Sequence, residues 1–155
     1  MLTIFLSLAA IVAYLLGMHT EAGGDNPLWH AFTYQLCHCN VWHLIGNLYC
    51  AWYIAASNYR VGHRRCIIAY AISLGAVFGP PTQGLSGILY ALVGMLSWQA
   101  SRIRVYHLIM LAFLSLGLLF PHRINIVLHL FCYLGGVGIE MLFFPWRERL
   151  RKYWR

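Results

Sequence analysis

Gly84-Leu85-Ser86-Gly87-Ile88-Leu89-Tyr90 sets a serine between glycines at the head of an apolar run. A hydroxyl in that setting is either a packing group or a nucleophile. The polar residues that share its depth decide between the two. Ser86 and Tyr90 are four residues apart, so they lie on one helix face. Gly84, Gly87 and Gly94 thin the same segment, which lets a neighbouring membrane helix approach closely.

The chain around this stretch has 155 residues, 61% of them hydrophobic and 10% charged, with a mean hydropathy of +0.64. A soluble domain of that length cannot hide so much apolar surface, so lipid is the expected solvent. The net charge of +7 is spread between apolar runs, as topology signals are, and no nucleic-acid partner is expected. Cys37, Cys39, Cys50, Cys66 and Cys132 are odd in number and mostly within apolar segments, which is no disulfide framework.

Six apolar segments fall at about 1–17, 41–58, 65–79, 84–100, 104–120 and 124–144. They predict an all-α, multi-pass bundle in one membrane domain spanning 1–155, with no separate soluble domain. Residues 1–17 could also be read as a signal sequence, but the basic n-region is missing. Residues 18–40 form a more polar connection, and its Leu28-Trp29-His30-Ala31-Phe32-Thr33-Tyr34 half suits a helix at headgroup level. Arg60, Arg64, Arg65, Arg102, Arg104 and the basic tail 147–155 fall on one side, against Arg123 on the other. The excess of positive charge puts both termini in the cytoplasm. The tail reads as a topology anchor beside anionic lipid.

The arginines also serve as a depth ruler. His43 precedes Arg60 by 17 residues, Ser86 precedes Arg102 by 16, and His129 precedes Arg147 by 18. At about 1.5 Å per residue all three stand roughly 24–27 Å above the cytoplasmic ring. In a hydrocarbon core of about 30 Å that is just below the outer surface. Intramembrane polar groups are costly and mark function by default. Ser86 and His129 make a minimal activated nucleophile, with the imidazole accepting the hydroxyl proton. His43 and Asn47, four apart on one face, are donors for a developing oxyanion. Glu140 lies 11 residues beyond His129, about 16 Å along the helix, too far to orient it.

Each residue also has a plainer reading: helix packing for Ser86, a structural hydrogen bond for His129, a helix bridge for Asn47, core for Tyr90. The conjunction favours the site. Cys37-His38-Cys39 forms a second cluster on the outer lip. A metal- or haem-handling site using Cys37, His38, Cys39, His43 and His129 is the alternative of another class. The simpler reading has His38 at the start of helix 2, near the site entrance, and no metal.

These motifs resemble the rhomboid intramembrane serine proteases. The residues that match are His38, His43 and Asn47 in helix 2, Gly84-Leu85-Ser86-Gly87 with Tyr90-Ala91-Leu92 and Gly94 in helix 4, and His129 with Gly136 in helix 6. The resemblance implies a six-helix rhomboid-type fold with a Ser86–His129 dyad and no cofactor. It implies an oxyanion hole of His43, Asn47 and the Ser86 N–H. It further implies that Tyr90 packs on the His129 ring and that Gly84 keeps the loop before Ser86 close to substrate. The expected substrate is a transmembrane protein segment cut near the outer face of a bacterial-type inner membrane, with water reaching Ser86 beneath the loop at Gly79–Gln83. The alternative within the fold is a non-proteolytic, client-binding relative. Leu128 and Cys132 depart from the family, which often has a small residue and a glycine there, and Cys132 is expected to crowd the contact with helix 4. Trp29 is followed by His30 where the family commonly has arginine.

Overall fold

The computed structural model describes residues 2–119 and 124–143. Arg123 and the basic tail 147–155, on which the expected topology partly rests, lie outside the described residues. Among the described residues the fold is six α-helices and five 3-10 turns, with one isolated bridge between Ala22 and Thr82. The helices are α1 (Leu2–Leu15), α2 (Val41–Ala56), α3 (His63–Ser73), α4 (Ser86–Leu96), α5 (Ile103–Leu116) and α6 (Ile126–Phe143). Three of them run on into 3-10 turns, at Leu74–Phe78, Ser97–Gln99 and Gly117–Leu119. The α-helical parts of those segments are therefore shorter than their apolar runs. Among the described residues α6 alone is both long and apolar enough to cross a membrane by itself. Thr3–Leu15 and Ile103–Leu119 are shorter apolar helices.

The apolar side chains face outward as well as inward. Trp42, Tyr49, Tyr53, Leu108, Leu134 and Leu142 are all exposed, a skin that suits lipid and not water. The stretch expected as an interfacial helix is instead two 3-10 turns, Leu28–Phe32 and Tyr34–Leu36. Leu28, Trp29 and Phe32 still point outward. Tyr34 and Gln35 turn inward and tie this connection to α3. The Tyr34 hydroxyl donates to the Ser73 carbonyl at 2.8 Å, and Gln35 Nε2 donates to Ser73 Oγ at 3.2 Å.

α4 is the buried centre, and α6 lies directly against it. A Cβ on Gly136 would stand 2.1 Å from the Ala91 carbonyl oxygen, and one on Gly94 2.2 Å from that of Tyr133. Only glycine permits backbones this close. Cys132 is fully buried in the same seam. It does not crowd the contact as expected, because Gly87 opposite leaves room: a Cβ there would meet Cys132 Sγ at an ordinary 3.6 Å. Leu128 is also buried, with its N–H capped by Asn125 Oδ1 at 3.0 Å.

The opposite end of the bundle is clasped by charge. Arg65 Nη2 and Nε donate to Glu140 Oε1 and Oε2 at 2.6 and 3.1 Å, joining α3 to α6. The Arg60 N–H donates to Gln99 Oε1 at 2.8 Å, so the connection after α2 and the turn after α4 meet at one end.

Candidate active site

Ser86 is the first residue of α4 and His129 lies in the first turn of α6. The glycine seam brings these helix starts together, and Ser86 Oγ lies 2.8 Å from His129 Nε2. The hydroxyl donates to Nε2 when the imidazole carries its proton on Nδ1. The Tyr90 ring stacks on that imidazole at a centroid distance of 4.4 Å and an interplanar angle of 23°. Ser86, Tyr90 and His129 are each partly exposed, so the pair is not sealed from solvent. At the start of a helix the Ser86 N–H has no intrahelical partner, and the helix dipole favours negative charge beside it.

Gly84 connects this pair to α2. Its φ is +102°, in the left-handed region. Its N–H donates to the Tyr34 carbonyl at 2.9 Å. A Cβ here would lie 2.7 Å from His43 Cε1, 2.9 Å from His43 Nε2 and 3.1 Å from Asn47 Nδ2. Glycine is thus what lets His43 and Asn47 stand beside the loop that leads into Ser86. The Asn47 side chain is buried and its Nδ2 has no hydrogen-bond partner. A buried amide donor left without an acceptor is costly and points to one supplied from outside the chain.

His38 differs from its expected place. It is not in helix 2, which begins at Val41, but in the extended segment before it. Nor is it at an entrance, since it is fully buried. Its Nδ1 donates to the Leu36 carbonyl at 3.2 Å and its ring meets that of His43 edge-on at 5.1 Å. Burial, followed by the neighbouring His43, pushes its pKa down to about 4, against the pull of the Leu36 carbonyl. Buried Tyr34 has its pKa raised, chiefly by loss of hydration.

The Cys37-His38-Cys39 cluster does not converge. Cys37 is buried against Thr20 Oγ1 at 3.1 Å, whereas Cys39 is exposed and lies 3.3 Å from His43 Nδ1. Among the described residues no three His, Cys, Asp or Glu side chains gather at metal-binding distances.

A family model described as Rhomboid domain matches residues 25–146. The chain belongs to the rhomboid family. Members of that family are integral membrane proteins and usually intramembrane serine proteases. No curated protein matches the chain. Within the rhomboid match fall Ser86, His129, His43, Asn47, Gly84, Gly87, Tyr90, His38 and Gly136.

Three residues without a functional motif of their own hold this arrangement in shape. Tyr34 anchors Gly84 by its carbonyl and Ser73 by its hydroxyl. Ser73 receives both Tyr34 and Gln35. Asn40 caps α2, its Oδ1 accepting from the His43 N–H at 2.9 Å. An asparagine directly before an apolar run is a recognisable cap signal. Tyr34 and Ser73 carry no local signal, because their partners lie far along the chain.

Proposed function

We propose that this chain is an intramembrane serine endopeptidase that cuts transmembrane segments of other proteins near the outer face of the bilayer. The observation that carries the reading is the 2.8 Å contact between Ser86 Oγ and His129 Nε2, joining two helices inside an apolar bundle. In this reading the bundle crosses a bacterial-type inner membrane six times with both termini cytoplasmic. The pairing of Arg60 with Gln99, which brings two Arg-bearing connections to one end, supports that orientation.

His129 takes the Ser86 proton as Oγ attacks the scissile carbonyl, then returns it to the leaving amine. The developing oxyanion receives the Ser86 N–H, Asn47 Nδ2 and His43 Nε2–H, all held where no reorganisation is needed. Tyr90 keeps the His129 ring from turning, and Gly136 keeps α6 within reach of α4. Gly84 keeps the backbone slim beside His43 and Asn47, where a substrate strand must lie, and Gly87 makes room on the inner side for Tyr34, Ser73 and Cys132. The substrate helix has to unwind locally to expose its peptide bond, which favours small or helix-breaking residues at the cut. The partners are thus a transmembrane protein and the lipid around it. No cofactor or metal takes part in these steps, and no nucleic acid is needed.

The test is turnover of a single-span reporter substrate in proteoliposomes. Ser86→Ala and His129→Ala should each abolish cleavage, with loss of about 10³-fold or more, while the proteins still insert and fold. A fluorophosphonate should label the wild type and not Ser86→Ala. Undiminished turnover in either variant removes the corresponding role. A folded wild type that neither cleaves nor labels points to the non-proteolytic alternative.

A further inference from the structure

The His43 ring has two nitrogens with different neighbours. Nε2 faces Gly84, 2.9 Å from where a Cβ would stand. Nδ1 lies 3.3 Å from Cys39 Sγ. That sulfur also accepts from Asn40 Nδ2 at 3.3 Å, while Asn40 Oδ1 accepts from the His43 N–H. One asparagine therefore fixes both the backbone of His43 and the thiol beside its ring.

A neutral imidazole carries one proton, and its position decides what the other nitrogen offers. With the proton on Nδ1, Nε2 presents a lone pair toward Gly84 and would repel an oxyanion. With the proton on Nε2, it presents a donor, provided that something donates to Nδ1. His38 cannot do so. Its Nδ1–H is committed to the Leu36 carbonyl, and its buried Nε2 is bare and unpartnered. The Cys39 sulfur receives the Asn40 amide hydrogen on a lone pair, which keeps its own S–H available to donate to His43 Nδ1.

We infer that Cys39 is a positioning residue that holds His43 as the Nε2–H tautomer, aiming this donor at the reacting carbonyl beside Gly84. The inference rests on the hydrolase reading above and adds to it the chain Asn40 amide, Cys39 thiol, His43 ring. Cys39 acts through His43 and does not itself touch substrate. It is exposed, so its truncation leaves no buried cavity.

The experiment uses the full chain in proteoliposomes with the single-span reporter. Cys39→Ala removes the donor, and kcat should fall about ten-fold with KM unchanged, the size of one hydrogen bond felt in the transition state. Cys39→Ser keeps a donor on the same side chain and should stay within about two-fold of wild type. In ¹⁵N-histidine spectra, with His43→Ala used to assign the ring, Nδ1 should be unprotonated in wild type and Cys39→Ser and mixed in Cys39→Ala. Wild-type kcat in Cys39→Ala overturns the inference, as does Cys39→Ser as slow as Cys39→Ala, or a protonated Nδ1 in the wild type. In those outcomes Ser86-dependent turnover of the wild type keeps the hydrolase reading intact. A wild type with no Ser86-dependent turnover overturns that reading, and the catalytic role of Cys39 with it.

Discussion

Replacing Gly84 with alanine should disable the site while leaving the bundle assembled. The added Cβ would stand 2.7 Å from His43 Cε1, whereas ordinary contact begins at 3.4 Å, so the ring must retreat by about 0.7 Å. Asn47 Nδ2, at 3.1 Å, must shift by a few tenths of an ångström as well. The alanine also strains a φ of +102°, at a cost of about 1–2 kcal/mol for a left-handed L-residue. Loss of one oxyanion donor typically costs about 10²–10³ in kcat, and a misplacement of this order is enough to forfeit it. Because both α2 donors border the new methyl, kcat should drop about 10³-fold in the proteoliposome assay. Gly46→Ala is the matched control on α2. Nothing lies within 4 Å of its Cβ, so activity should be unchanged and stability should rise by about 0.5–1 kcal/mol from helix propensity. Detergent unfolding curves separate loss of fold from loss of site. Gly84→Ala with activity within three-fold of wild type would refute the placement of His43 and Asn47 against this loop.

Gly136→Ala should destabilise the protein by about 1–3 kcal/mol and lower activity with it, because its Cβ would overlap the Ala91 carbonyl at 2.1 Å; Gly138→Ala, with open space around it, should gain about 0.5–1 kcal/mol in the same unfolding assay, as Gly46→Ala does. Arg65→Ala removes the cation from Glu140, whose side chain is 4% exposed, and should cost about 3–5 kcal/mol in unfolding titrations. The Arg65→Ala/Glu140→Gln double variant should recover part of that loss; no recovery would mean the ion pair is not what holds this end. His38 sets a pH dependence. The unfolded chain takes up this proton near 6.5 and the folded one only near 4, so its stabilisation is full above about 6.5 and declines as pH falls toward 4. His38→Gln should flatten that slope in pH-dependent unfolding, and an unchanged slope would assign the acid sensitivity to another group.

Much of the site could be read from spacing because helix rise is constant. Depth along a membrane helix is a count of residues, so His43, Ser86 and His129 can be placed at one level without knowing which helices touch. Ser86 and His129 lie 2.8 Å apart, and His43 stands beside Gly84 two residues before Ser86. Glu140, put far from His129 by the same count, is paired with Arg65 at the other end of the bundle. What spacing does not carry is azimuth, local winding and burial. The aromatic stretch at Leu28–Tyr34 carries the composition of an interfacial helix, yet Tyr34 turns inward to Ser73. The sequence position of His38, close to His43, suggests a lining residue, but the extended segment before α2 buries it. Cys132 reads as obstructive within its own helix because the space that takes it belongs to Gly87 on another helix.

By itself the sequence pointed to lipid as the solvent, to the helical class and to the family motif, since each depends on composition or on residues counted along one chain. Only the tertiary structure decided how the site is assembled. The Ser86–His129 contact, the Tyr34 carbonyl under Gly84 and the approach of His43 and Asn47 to that glycine depend on which faces meet. That is a property of crossing helices and of loops folded between them, and no single segment contains it.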